Sequence, residues 1–209
     1  MLITVTEKHS FTLRFFHWAN AFFLTLMIWS GILIYWANQA YIKIPPSLAY
    51  TLKIEYSLAR GMGWHFLIMW PFALNGLCYV FFLVLKGGWR MLVPRKDSFK
   101  ESFKVVLHDL KILKTPPQVI GKYNAAQRIA YSGAILMGAG TLVTGLAIYK
   151  PVQAGWLTLI LGGYEAAHFE HFILTIGFII FIFIHVFHVM KAGWNNFRAM
   201  LAGYEIEKE

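Results

Sequence analysis

The sequence is poor in charge and has almost no cysteine. Asp, Glu, Lys and Arg make up 14% of its 209 residues, with only 10 acidic side chains, and Cys78 is the one thiol. A single cysteine excludes an intrachain disulfide, a Cys-x-x-Cys-His haem attachment and a cysteine-ligated iron–sulfur cluster. Lying in an apolar run, Cys78 is expected simply to pack. The scarcity of charge is matched by an excess of apolar residues, 58% hydrophobic with a mean hydropathy of +0.54. That is the balance of a membrane protein.

Four apolar runs are each long enough to cross about 30 Å of hydrocarbon. They cover residues about 11–36, 62–85, 123–149 and 167–190. Pro71, inside the second, predicts a kink. The segment 86–122 is rich in Lys, Arg and Pro, and residues 99–113 within it are patterned as a short amphipathic helix on the membrane surface. Residues 1–10 lack the basic, apolar and small-residue order of a cleavable leader, so the first run is expected to stay in the mature protein. The reading is one domain over residues 1–209: an all-α membrane protein built as a four-transmembrane-helix bundle.

Orientation follows from the cations. Fifteen Lys and Arg fall in the N-terminal segment, the 86–128 segment and the tail. Four (Lys43, Lys53, Arg60 and Lys150) fall in the other two loops. By the positive-inside rule both termini and the long basic loop are cytoplasmic, in the cytoplasmic (inner) membrane of a bacterium. The net charge of +9 is then largely topological and needs no nucleic-acid partner. Membrane lipid is the first partner expected for the basic loop, ahead of a cytoplasmic subunit.

The chemistry lies in the histidines, because an ionisable or metal-binding residue inside a span is costly. Six of the eight lie in or beside spans. His17 is near the inner end of the first span and His65 at the outer start of the second. In the fourth span, His171 is near the outer end and His185 near the inner end. The fourteen-residue step from one to the other leaves an angular offset of about 40° and a rise of ~21 Å, so both imidazoles leave nearly the same helix face at opposite depths. Depth pairs His17 with His185 and His65 with His171. Each pair supplies two axial ligands for a haem, so the bundle is read as holding two b-type haems, one towards each surface. Two axial imidazoles leave iron no open position, which favours electron transfer.

A lone membrane histidine can equally hydrogen-bond a neighbouring helix, and His168 and His188 are rivals to His171 and His185. The pairs 168/185 and 171/188 are seventeen residues apart, an offset near 100°, and suit two haems less well. His168-Phe169-Glu170-His171 is not a His-Glu-x-x-His zinc motif. His9 and His108 lie outside the spans and are read as solvated.

Other polar residues at the span ends carry two readings each. Asn124 and Gln127, at the cytoplasmic mouth of the third span, suit either a quinone carbonyl or a helix cap. Arg14, Arg128 and Lys191 lie at surface depth, where they suit either haem propionates or lipid phosphates. Gly31, Gly133, Gly138, Gly140 and Gly177 suit either a close porphyrin or ordinary helix packing.

Three motifs in order, Arg14-Phe15-Phe16-His17-Trp18, Gly121-Lys122-Tyr123-Asn124-Ala125-Ala126-Gln127-Arg128 and the His171/His185 pair, resemble the cytochrome b subunits of formate dehydrogenase, NiFe hydrogenase and thiosulfate reductase. The similarity covers all four spans. With Ala192-Gly193-Trp194-Asn195-Asn196-Phe197-Arg198, it looks most like the thiosulfate-reductase type. The resemblance implies two haems b on His17, His65, His171 and His185, with Asn124 at a quinone pocket near the inner haem. It also implies electron exchange between quinone or quinol and a catalytic oxidoreductase subunit that the chain anchors. The partner implied is of molybdopterin type, with or without an iron–sulfur subunit between. The alternative is a haem-free membrane anchor or small transporter whose histidines handle protons or metal ions.

Overall fold

The computed structural model describes residues 3–36, 41–43, 45–51, 53, 57–109, 111–114, 121 and 123–208. Helices dominate. Four are long and apolar enough to cross a membrane: α1 (Phe11–Tyr35), α3 (Leu58–Leu85), α6 (Ala125–Tyr149) and α8 (Tyr164–Ala192). The shortest has 25 residues and is therefore about 37 Å long, enough to span hydrocarbon with a margin at each end. Short helices occupy the connections: α2 (Pro46–Thr51), α4 (Trp89–Leu92), α5 (Ser98–Asp109), α7 (Gly155–Ile160) and α9 (Trp194–Ala202).

The chain forms two compact units, Met1–Tyr79 with Val186–Glu209, and Val80–His185. In the first, α1 and α3 are antiparallel neighbours. Near one end a Cβ on Gly61 would lie 2.9 Å from Leu33 Cβ and 3.1 Å from the Ile34 backbone nitrogen, so only glycine permits the approach. Ser57 donates to the Leu33 carbonyl at 3.2 Å beside it. Towards the other end the Phe16 and Tyr79 rings meet, centroids 5.7 Å apart. α3 continues unbroken through Pro71. Leu67, Trp70, Leu74, Leu77 and Phe81 form an exposed apolar stripe along it, a cost in water that hydrocarbon removes. Cys78 is exposed on the same helix, so it does not pack inside the protein as its apolar surroundings suggest.

The sequence reading has no strands, but the first unit has two. β1 (Ile3–Glu7) and β2 (Tyr204–Lys208) pair antiparallel, Val5 opposite Ile206. The strands join residues 3–7 to residues 204–208. Asn195 clamps the sheet from α9, donating through Nδ2 to the Ile206 carbonyl at 3.0 Å and accepting from the Ile206 N–H at 3.1 Å. Arg198 Nη2 holds that same Asn195 oxygen at 2.6 Å, and Lys8 reaches Glu205 at 2.8 Å. The Asn195 and Arg198 of the motif beginning at Ala192 thus fasten the tail.

In the second unit α6 and α8 run antiparallel, with Gly140 against Leu174 and Gly177 against Met137. These glycines serve helix packing, whereas Gly133 and Gly138 face open space. α5 lies against α6 and buries Val105, while Phe99, Phe103 and Val106 stay exposed. This amphipathic helix stops short of residue 113. Lys111 takes a left-handed φ of 60° and the Ile112 N–H returns to the Leu107 carbonyl at 2.9 Å, closing the helix end.

Candidate functional site

Two of the four candidate ligands are held by a hydroxyl on the adjacent helix. In the first unit His65 Nδ1 lies 2.9 Å from Ser30 Oγ, and Ser30 is fully buried. The same Oγ lies 2.8 Å from the Leu26 carbonyl, one turn back on α1. A serine hydroxyl has one proton, and a carbonyl can only accept, so that proton belongs to the Leu26 contact. Oγ therefore receives a hydrogen bond from His65, which fixes the proton on Nδ1 and leaves the Nε2 lone pair for a metal.

The second unit repeats the arrangement. Thr144 Oγ1 lies 2.9 Å from His171 Nδ1 and donates to the Gly140 carbonyl at 2.8 Å. By the same proton count His171 is an Nδ1–H tautomer, which puts the lone pair on Nε2. In both units a glycine follows the hydroxyl residue. A Cβ on Gly145 would come within 3.2 Å of His171 Cε1, and one on Gly31 within 3.7 Å of His65 Cε1. Gly145 thus keeps the ring edge clear, with Gly31 the looser counterpart. Ser30 and Thr144 each stand at the twentieth residue of their helix.

His17 and His185 are framed by aromatics. His17 meets the edge of Trp18, with centroids 5.2 Å apart, and His185 stacks on Phe181 at 5.8 Å and 11°. Both are half-buried. Because α8 is a single helix from Tyr164 to Ala192, the spacing of His171 and His185 is that of a continuous α-helix. Of the two rivals only His188 sits differently. His168 stacks on Tyr164 of its own helix, and His188 is exposed, its ring edge-on to Phe187.

Asn124 caps α6. Its Oδ1 accepts from the Gln127 N–H at 2.8 Å, while Gln127 Oε1 accepts from the Asn124 N–H at 3.0 Å, a reciprocal capping box. The cap occupies the two amide oxygens and neither –NH2 group. Tyr123, immediately before it, packs edge-on to Tyr131, and burial raises its phenol pKa above the usual value, so it is a donor at neutral pH. Arg128 is buried and donates to the Val93 carbonyl at 3.1 Å, and Ser132 donates to the Leu92 carbonyl at 2.8 Å, so α6 holds down α4. Arg14 donates to the Leu201 carbonyl and its guanidinium lies against Gly203. Lys191 is exposed in the last turn of α8.

The profile of the prokaryotic cytochrome b561 family matches residues 8–203. The chain belongs to that family. Its members bind haem b, which suits two imidazoles presented through Nε2. Among relatives, a putative protein-methionine-sulfoxide reductase subunit YedZ1 from Azospira oryzae is 34% identical over 179 residues, covering 83% of this chain and 85% of the relative. A probable Ni/Fe-hydrogenase B-type cytochrome subunit from Bradyrhizobium diazoefficiens is 24% identical over 203 residues, covering 85% and 75%. The resemblance to oxidoreductase cytochrome b subunits therefore holds, and with four apolar helices the chain is a multi-pass bacterial membrane protein.

Sequence reasoning missed Ser30 and Thr144. A serine or threonine bonded to its own helix is unremarkable one at a time. The signal was a repeated pair, Ser30-Gly31 and Thr144-Gly145, at equal distance from the start of the first and third spans.

Proposed function

We propose that this cytochrome b561 protein is the membrane subunit that carries electrons between the quinone pool and a catalytic oxidoreductase partner, using two haems b. The observation that carries the reading is the pair of hydroxyl–imidazole contacts, Ser30 with His65 and Thr144 with His171. Each turns a histidine into a neutral Nε2 ligand of fixed orientation. His65 and His171 would hold one haem and His17 and His185 the other, paired by their depth along the spans. Two imidazoles on each iron supply outer-sphere electron transfer. Arg128 and Lys191 are proposed as positive charge for propionates, and the amide –NH2 groups of Asn124 and Gln127 as donors to a quinone carbonyl.

The cation distribution supports a cytoplasmic position for the termini and the segment 86–122. His65 and His171 then lie towards the outer face of the inner membrane, where an exported partner would exchange electrons. The name of the Azospira relative favours a reductase of oxidised methionine as that partner, compatible with the molybdopterin class that the motifs suggest. Purification of the full chain followed by dithionite reduction and pyridine haemochrome analysis tests the reading. Two haems b per chain are expected, and the absence of a reducible b-type band would overturn it. Identification of the co-purified subunit tests the partner.

A further inference from the structure

Among the buried donors of the first unit that have no hydrogen-bond partner among the described residues, two belong to residues lining one cavity. They are Arg14 Nε and Asn75 Nδ2. The cavity has a volume of about 480 Å³ and lies between α1 and α3 beside Leu201. The rest of its lining is largely aromatic, including Phe15, Trp18 and Phe22, whose rings are exposed at the outer surface of the unit. A buried N–H without an acceptor costs about 1–3 kcal/mol, and more on a charged group, so two on residues lining one cavity call for an acceptor that enters from the bilayer.

We propose that this cavity binds one anionic glycerophospholipid, its phosphate at Arg14 and an ester carbonyl at Asn75, with acyl chain laid over Phe15, Trp18 and Phe22. Charge selects the phosphate. Arg14 is in the first turn of α1, at headgroup depth, and Asn75 lies deeper in α3, so the two donors follow the order of phosphate and ester along a lipid. Part of the cavity wall is turned away from the candidate ligand on α1, although Trp18 meets His17 edge-on. Phe15 and Phe22 lie about 160° and 140° around the helix from His17, a poor position for a quinone that must exchange electrons there. The aromatic wall, open to the bilayer, accepts chain methylenes that a soluble anion lacks.

The test uses the full haem-loaded chain, purified, stripped of lipid by detergent exchange, and offered equal amounts of phosphatidylglycerol and phosphatidylcholine. Native mass spectrometry counts the lipids that remain. One retained phosphatidylglycerol is expected, preferred about fivefold or more, as a single cationic contact provides. Asn75→Leu should lower retention about fivefold, the worth of one hydrogen bond, with the visible spectrum unchanged. Asn75→Gln, which keeps the amide, should restore it. Equal retention of the two lipids, full retention by Asn75→Leu, or displacement of the lipid by ubiquinone would each overturn the proposal. If Asn75→Leu does not fold, photoactivatable phosphatidylglycerol on the wild-type chain decides. Labelling of residues 11–23 supports the site, and labelling confined elsewhere refutes it.

Discussion

Thr144 Oγ1 stands 2.9 Å from His171 Nδ1 and 2.8 Å from the Gly140 carbonyl, so a single hydroxyl proton dictates the tautomer of the histidine. Thr144→Val keeps the shape and removes the acceptor at 2.9 Å from Nδ1. Haem affinity should fall about 10–100-fold, the usual effect of losing such a partner, with a shift in reduction potential. Thr144→Ser should restore both, and Ser30→Ala should act in the same way through His65. Haem titration and redox potentiometry read the outcome. An unchanged potential and affinity in both variants would reduce the hydroxyls to helix packing.

The ligand set makes a sharper division. Replacing His65 or His171 with Ala should remove one haem, and replacing His17 or His185 should remove the other, leaving one per chain by pyridine haemochrome. His168→Ala and His188→Ala should retain two, His168 because its spacing from His185 suits two haems less well and His188 because its ring is also exposed. Loss of a haem with His188→Ala but not His185→Ala would break the assignment on α8.

The spans were legible because a 25-residue apolar run has few other uses, and the observed α1 and α6 end within two residues of the expected bounds. The amphipathic α5 was legible by the same logic of pattern. The sheet was not: β1 and β2 are five residues each, and Val5 and Ile206 are two hundred residues apart, so neither strand shows its partner in local sequence. Asn195 and Arg198 read as a family signature, and only the paired strands reveal that they fasten the tail. The proposed histidine pairing rests on depth and spacing, which sequence shows, whereas the hydroxyls beside His65 and His171 were not legible, since Ser30 and Thr144 act across a helix–helix contact.

That tail gives a prediction about stability. Gly203 has φ of +99°, and a Cβ there would lie 3.2 Å from the Arg14 guanidinium. Gly203→Ala combines left-handed strain with displacement of Arg14 from the Leu201 carbonyl, and should cost about 1–2 kcal/mol. Limited proteolysis should then release the tail faster. Asn195→Ala should do the same by freeing Ile206. Wild-type cleavage rates in both would mean that the strands contribute nothing to holding the ends.

Topology rests on fifteen cations against four and on the pairing of the two ends. Reporter fusions after Glu209 and within residues 95–115 should report cytoplasm, and one within residues 150–165 the opposite side. The strand pairing requires only that the ends share a side; the charges choose which. A cytoplasmic signal from residues 150–165 would invert the orientation and exchange the surfaces assigned to the two histidine pairs.

Asn124 carries the last prediction, because its cap and its proposed quinone contact use different atoms. The cap needs the amide oxygen, which accepts from the Gln127 N–H, whereas a quinone carbonyl needs the –NH2. Asn124→Ala removes both, costing about 1 kcal/mol of helix stability, and so cannot separate the two roles. Asn124→Asp separates them. The carboxylate still accepts at the helix N-terminus, where negative charge is welcome, so stability and haem content should hold. It has no proton to offer a quinone, and quinol turnover should fall about tenfold, the worth of roughly 1.4 kcal/mol of lost binding to the reacting state. Gln127→Glu should repeat the pattern, since Gln127 Oε1 likewise serves the cap and its amide does not. Full turnover in both carboxylate variants would leave Asn124 and Gln127 as a capping box alone and move the quinone site elsewhere.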